Sequence, residues 1–384
     1  MDTIERNSIA YGQLGIIALK SCKELGEKIV NHILARRSNY SDNDEGLSSK
    51  NVPSFFIPIE EIRFSNGEGK IKITESVRGK DIYILADVGN HSCTYKMFGF
   101  ENHMGPDEHF QDIKRVVSAI AGGARRVTLV MPLLYSARQH RRSGRESLDC
   151  AIALQELQRL GVQEILTFDA HDPTIQNAIP LNSFTNIYPT YEIVKKFVKN
   201  EKDLLIDKSR MLVISPDTGA MNRAVYYSNV LGLDIGLFYK RRDHSRIVNG
   251  KNPIVQHEYL GRSIENQNIL IVDDMIASGE SIAEIALELK KRNAKNIYVA
   301  STFSLFTEGA EKFQKLYDEG VINKVYSTNL TYVPEEVKNK PWFIEVDMSE
   351  FLARIIDYLN YDKSISPLID ATEGIKKLLK KYEL

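Results

Sequence analysis

The chain has 384 residues, of which 43% are hydrophobic and 26% charged, and a formal net charge of −1. That length suits two domains of ordinary globular composition, and near-neutrality excludes a field that would gather nucleic acid or an anionic membrane surface. Three widely spaced cysteines, Cys22, Cys93 and Cys150, exclude a disulfide framework and point to a reducing compartment.

The start, MDTIERNSIA, lacks the basic and apolar regions of a signal peptide. No apolar run approaches bilayer-spanning length, so a cytoplasmic protein without a membrane partner is expected. Residues 11–37 read as helical, with Leu14, Ile17, Ala18, Leu25, Ile29, Ile33 and Leu34 on one stripe. Residues 38–53, SNYSDNDEGLSSKNVP, read as a polar loop. Phe64, Asn66 and Glu68 then occupy a turn. An aromatic face beside an amide and a carboxylate suits a nucleobase, through stacking and edge hydrogen bonds; a plain turn with one core Phe fits the same residues. Strands are expected at Lys70–Thr74 and Asp81–Ala86, with Arg78-Gly79-Lys80 turning the chain between them.

Residues 89–109 hold three histidines without the spacing of a helical metal site and read as a loop. A helix from Phe110 to Ala121, then Gly122-Gly123, then a strand from Val127 to Val130 follow the alternation of a parallel sheet. After that strand comes MPLLYSARQHRRSGRES, where Arg138, Arg141, Arg142 and Arg145 concentrate positive charge. Arginines can grip a polyphosphate with paired hydrogen bonds; a solvated basic loop is the competing reading. A helix from Leu148 to Leu160 leads to a strand at Ile165–Phe168, capped by Asp169-Ala170-His171-Asp172. A histidine between carboxylates at a strand end makes a fair Mg²⁺ neighbourhood, although Mg²⁺ prefers oxygen and keeps its waters.

The second half repeats the architecture. A strand at Met211–Ile214 ends in SPDTGA, which carries Asp217, and a helix spans Met221–Leu231. A strand at Ile235–Tyr239 ends in Lys240-Arg241-Arg242, and the polar segment Asp243–Gly250 reads as a lid that brings basic side chains to a transferring phosphoryl group. Then comes ILIVDDMIASGES, residues 269–281. Ile269–Val272 is apolar and β-branched, as in a strand covered on both faces. Asp273 and Asp274 follow it, then the small-residue loop from Ala277 to Ser281, then a helix from Ile282 to Lys291 with Ile282, Ile285, Ala286 and Leu289 on one face. Unpaired amides where a loop opens a helix favour a phosphate. The two carboxylates suit sugar hydroxyls, or a metal held through them. The stretch reads as a ribose phosphate cradle, against the plainer alternative of a capped helix after a buried strand. A last helix is expected at Thr372–Tyr382.

Taken together, RFSNGE, ESVRGKDIYI, ARQHRR, TFDAHDPTIQ, ISPDTGAMNRA, YKRRD, VDDMIASGES and SISPLID resemble the ribose-phosphate pyrophosphokinase family, also called phosphoribosyl pyrophosphate synthetases, from about Arg63 to Asp370. The resemblance implies an α/β fold of two tandem type I phosphoribosyltransferase-like domains, each a mainly parallel sheet flanked by helices. Residues 1–188 would form the first, with an extended start; 189–345 the second, with the ribose-phosphate loop; and 346–384 a helical tail. It implies transfer of the pyrophosphoryl group of ATP to the 1-hydroxyl of ribose 5-phosphate, with Mg²⁺, in a homo-oligomer built from dimers. Phe64, Asn66, Gly67 and Glu68, with Arg138 and Gln139, would hold ATP. His171 and Asp217, with Asp169 nearby, would position Mg²⁺. Lys240 and Arg242 would stabilise the transition state, and Asp273, Asp274, Ala277, Ser278, Gly279, Glu280 and Ser281 would hold ribose 5-phosphate. Two positions depart from the family's pattern: His140 and Ala277 each stand where it usually has Asp. A catalytically weak regulatory paralogue and a phosphoribosyltransferase are the rival readings; retention of Lys240, Arg242, His171 and Asp217 argues against the first, and the two tandem sheets against the second.

Overall fold

The computed structural model describes residues 9–41, 54–142, 144–202, 204, 206–242 and 254–382. The expected lid at 243–250 and most of the expected polar loop, from 42 to 53, lie outside the described residues.

The first strand, β1 (Gln13–Ala18), overturns the helix expected from residue 11; the helix α1 (Lys23–Ser41) begins ten residues later. The stripe reading failed because Leu14, Ile17 and Ala18 belong to a continuous apolar run. Ile16, off the supposed stripe, is as fully buried as Ile17, which a strand covered on both faces permits and a surface helix does not. Next come β2 (Ile59–Arg63), β3 (Gly69–Ile73) and β4 (Lys80–Leu85). Residues 89–109 are not a plain loop either: β5 (Thr94–Met97) and β6 (Phe100–His103) form a hairpin there, joined by the two-residue turn Phe98-Gly99. The histidines are structural, His109 and His103 each bonding a backbone oxygen at 2.8 Å. The elements α2 (Pro106–Ile120), β7 (Arg126–Val130), α3 (Asp149–Arg159), β8 (Glu164–Phe168) and β9 (Ser183–Ile187) complete the series.

One sheet has the order β1-β4-β7-β8-β9, every pair parallel. Its core joins Ile82, Ile84, Leu129 and Ile165 to Ile113, Val116, Leu154 and Leu157 of the helices. The β2–β3 and β5–β6 pairs are antiparallel hairpins outside this sheet.

The chain continues through α4 (Thr190–Asn200), β10 (Met211–Ser215), α5 (Met221–Leu231), β11 (Asp234–Arg242), β12 (Ile254–Leu260), β13 (Asn268–Ile276) and α6 (Glu280–Lys291). Then come β14 (Asn296–Ser304), α7 (Glu311–Asp318), β15 (Lys324–Thr328), α8 (Glu335–Lys338) and β16 (Phe343–Val346), and finally α9 (Ser349–Asn360), α10 (Ser366–Ile369) and α11 (Thr372–Lys381). The second sheet runs β12-β11-β10-β13-β14-β15-β16, parallel throughout except for β12. The apolar residues of β10, β13 and β14 pack with Ile285 and Leu289 of α6 and with Phe313 and Trp342. Short βα connections in parallel sheets put loops and helix starts at the carboxyl ends of the strands, where ligands bind.

The chain forms two compact units. One comprises residues 1–188, 330–332 and 347–369, and the other 189–329, 333–346 and 370–384. Residues 347–369 join the first through buried polar groups of α9. Arg37 donates to Asp357 and to Asn360, each at 2.9 Å, and Asn360 donates to Asp81 at 2.9 Å. In the second, α11 packs on α4 and α5, with Gly374 lying against the ring of Tyr191.

Candidate functional site

In the second unit, three neighbouring parallel strands deliver the expected residues to one sheet edge. β10 ends two residues before Asp217, β11 carries the backbone of Lys240 and Arg242 to its own end, and β13 ends in the carboxylates and the small-residue loop. The sequence places the end of the last strand at Val272. The strand instead continues to Ile276, with Asp273 paired to Ser301 of β14. Successive strand residues face opposite sides, so the two carboxylates diverge: Asp274 is buried, whereas Asp273 is partly exposed.

Asp273 accepts the backbone N–H of Asp274 at 2.9 Å, and Asp274 that of Met275 at 2.9 Å. Burial and the neighbouring charge of Asp274 raise the pKa of Asp273 well above the usual carboxylate range, against the opposing effect of Arg223. Arg223, on α5, reaches to 3.8 Å from Asp273. The sequence reading passed over it because an arginine three residues into a helix looks like an ordinary surface charge; its place in the loop-helix junction of the next strand was the available signal.

Beyond β13 the loop turns on Gly279, whose φ is +73° and which caps α6. A Cβ there would lie 2.3 Å from the ring of the fully buried Phe313, so glycine is required on both conformational and steric grounds. The helix opens at Glu280, so its first amides have no partner within the helix, and that of Glu280 donates to Ser278 Oγ at 3.4 Å. The Asp217 carboxylate accepts the N–H groups of Gly219 at 2.8 Å and Ala220 at 3.1 Å, both through Oδ1. Ser215 Oγ donates to the carbonyl of Asp217 at 2.7 Å.

In the first unit, the expected nucleobase turn is the five-residue tip of the β2–β3 hairpin. The Phe64 amide donates to the Glu68 carbonyl at 2.8 Å, Asn66 Oδ1 accepts the Glu68 amide at 3.1 Å, and Gly67 has φ +91°. Phe64 is 47% exposed, so it is not the core residue of the competing reading. The hairpin is anchored at Arg63, which pairs with buried Asp112 of α2 at 2.5 Å and stacks over Tyr95 at 5.3 Å.

The loop after β7 and the loop after β8 lie beside each other, as their strands do. Arg138, Gln139, Arg141, Arg142 and Arg145 are exposed. His140 bonds the carbonyl of Ala137 at 3.1 Å and reaches Asp172 at 3.3 Å, with its ring 5.4 Å from that of His171. Asp172 caps a short turn through Thr174, whose amide and hydroxyl donate at 2.9 and 2.6 Å. Burial raises the Asp172 pKa, but those two donors, with His140 and Arg141, outweigh it and hold the carboxyl below its usual range. Asp169 is buried at the end of β8 in a left-handed conformation, φ +40°. Among the described residues, no group of three or more His, Cys, Asp or Glu side chains is arranged to enclose a metal. The donors suit a hard cation that takes one or two protein ligands and completes its shell with water and phosphate oxygens.

The pattern of the N-terminal domain of ribose phosphate pyrophosphokinase matches residues 14–161, and that of the phosphoribosyl transferase domain matches residues 182–337. The chain is 30% identical over 253 residues to a ribose-phosphate pyrophosphokinase of Ralstonia nicotianae, covering 65% of this chain and 71% of the relative. It is 29% identical to that of Mycoplasma genitalium, over 82% of this chain and 87% of the relative. The crystal structure of a phosphoribosylpyrophosphate synthetase from Mycobacterium smegmatis superposes with a TM-score of 0.72 at 19% identity, covering 91% of this chain and 99% of that one. No helix among the described residues is long and apolar enough to cross a membrane.

Proposed function

This chain belongs to the ribose-phosphate pyrophosphokinase family, and we propose that it makes phosphoribosyl pyrophosphate and AMP from ATP and ribose 5-phosphate with the residues described above. The observation that carries this reading is the common edge of the second sheet, where β10, β11 and β13 end side by side, the first followed by Asp217, the second carrying Lys240 and Arg242, and the third leading into the small-residue loop that opens α6. The 1-hydroxyl oxygen of the sugar forms a bond to the β-phosphorus of ATP. The bond from that phosphorus to the bridging oxygen of the α-phosphate breaks, AMP leaves, and the hydroxyl proton passes to solvent.

Each group has a limited task, because phosphoryl-type transfer asks for placement and charge compensation more than covalent help. The amides of Ala277–Ser281 and the start of α6 receive the 5-phosphate. Asp273 and Asp274 accept hydrogen bonds from ribose hydroxyls. Phe64, Asn66, Gly67 and Glu68 hold the adenine, and Arg138 and Gln139 the polyphosphate. Lys240 and Arg242 supply positive charge where the transferred group gains negative charge. Asp169, His171 and Asp217 would hold Mg²⁺ together with phosphate oxygens; when bound, the ion neutralises the phosphates. Cytoplasmic location and assembly from dimers are part of the same proposal.

AMP release from ATP, followed as ribose 5-phosphate and Mg²⁺ are added singly and together, tests this. One AMP per phosphoribosyl pyrophosphate, and none without the sugar, is expected. AMP release without dependence on the sugar would overturn it, as would consumption of phosphoribosyl pyrophosphate by added base alone.

A further inference from the structure

The β5–β6 hairpin leans on the turn that holds the nucleobase. The amide of Phe98 donates to the carbonyl of Ser65 at 2.8 Å. Gly67 lies so close to Met97 that an added Cβ would stand 2.6 Å from its sulfur. Arg63, at the foot of the first hairpin, stacks over Tyr95 of the second. These contacts act at three levels of the two ribbons and hold their tips together.

At the tip itself, Met97 pairs with Phe100, and the two residues between them, Phe98 and Gly99, have φ of +49° and +84°. Two consecutive left-handed residues in a two-residue hairpin loop define a turn in which Asn-Gly is the favoured pair. A phenylalanine at the first position is costly there, because its Cβ crowds the backbone. It is also 74% exposed, so packing against the described residues does little to offset that cost. An observed strained residue in a sparsely populated conformation is a reason to look for function, and this one stands on a tip fastened to Ser65 and Gly67, in the same turn as Phe64, itself 47% exposed.

We propose that Phe98 is a further nucleotide-binding residue, whose ring widens the aromatic surface that Phe64 offers to the base of ATP. This rests on the nucleotide reading above. Loss of one base-stacking ring weakens binding by roughly 5- to 100-fold. The informative variant is Phe98→Asn, which removes the ring yet suits the turn better than phenylalanine, so folding is preserved; Phe98→Tyr keeps the ring.

Calorimetric binding of the α,β-methylene analogue of ATP to the full-length protein measures the effect, with sedimentation velocity on the same samples. Phe98→Asn should raise the Kd for the analogue roughly 5- to 100-fold, with Phe98→Tyr close to the unaltered protein and the sedimentation coefficient unchanged. The KM for ATP should rise in parallel while kcat and the KM for ribose 5-phosphate stay within about two-fold. Equal affinity in Phe98→Asn and the unaltered protein would overturn the assignment while leaving the nucleotide reading intact. A change in sedimentation on loss of the ring would also overturn it, placing Phe98 between copies of the chain. No analogue binding by the unaltered protein would overturn both.

Discussion

Gly279→Ala is the sharpest test of the ribose-phosphate loop, because two separate costs meet at one methyl group. The residue sits at φ +73°, where an alanine is disfavoured by about 1–2 kcal/mol. Its Cβ would also approach the Phe313 ring to 2.3, 3.2 and 3.3 Å, and overpacking of this kind costs about 1–3 kcal/mol. The ring has little room to withdraw: it is fully buried, 5.3 Å edge-on from Phe306 and 5.7 Å from Trp342. The loop must therefore move, carrying the amides of Ala277–Ser281 out of place. Of a total of about 2–5 kcal/mol, whatever appears in binding weakens it tenfold for every 1.4 kcal/mol. Steady-state AMP formation should show the KM for ribose 5-phosphate raised about 10- to 100-fold, with the KM for ATP changed less than about two-fold. Urea unfolding should show the remainder as lost stability. The double variant with Phe313→Leu should lose less than the sum of the two single changes, since shortening the ring removes the clash but not the backbone cost. Wild-type stability together with a wild-type KM for ribose 5-phosphate in Gly279→Ala would refute the reasoning.

Lys240→Ala and Arg242→Ala should each lower kcat by roughly 10³-fold while changing the KM for ATP little, as expected of charge used mainly in the transition state; turnover by both near the unaltered rate would remove them from the catalytic role. Asp273→Asn should raise thermal stability at pH 7, because it removes a carboxyl whose ionisation is opposed by burial and by the neighbouring Asp274, yet raise the KM for ribose 5-phosphate; lower thermal stability, or an unchanged KM, would contradict this. Asp87 is fully buried, and burial pushes its pKa up to about 6 despite donors from Tyr332, Gly89 and Thr331. A carboxyl raised in the fold contributes stability that is complete below its unfolded pKa and lost as the pH climbs through about 6. Denaturant titrations from pH 4 to pH 7 should therefore show Asp87→Asn gaining on the unaltered protein by about 2 kcal/mol; a pH-independent difference would show that the donors balance burial, and the opposite slope that they outweigh it.

The parallel sheets were legible where the chain alternates a short β-branched run with a striped helix, as from Met211 to Leu231, because such runs are buried on both faces. Reading failed where period and burial conflict. Leu14–Ala18 is apolar at every position but Gly15, so any helical stripe can be drawn through it, and only pairing with β4 shows it to be a strand. The β5–β6 hairpin was missed because its turn carries phenylalanine where hairpin turns favour asparagine, and because the four-residue alternation of Thr94–Met97 has no counterpart in Phe100–His103. Asp273 and Asp274 ended the apolar run to the eye. The strand itself continues, because its ladder with β14 runs on through Asp273 to Ile276 while the two carboxylates bond the next backbone amides.

Charge alone does not distinguish the candidate site from the scaffold. Asp81 is wholly buried and satisfied by Arg126 at 2.8 and 2.7 Å and by Asn360 at 2.9 Å, so little is left on it to bind anything. Asp273 differs in kind. It is partly exposed, Arg223 stands 3.8 Å from it, and its neighbour in sequence is a second aspartate. A carboxylate pair so placed is matched by donors that bring hydrogen without negative charge, as sugar hydroxyls do. On the proposed reading, the phosphate of the same ligand would fall to the amides of the loop that follows, where Gly279 has φ +73°. In the proposed function, separating the anion-repelling strand end from the anion-attracting loop in this way would orient a sugar phosphate. It also accounts for acidic residues lying so near a phosphate cradle, which composition alone would make a contradiction.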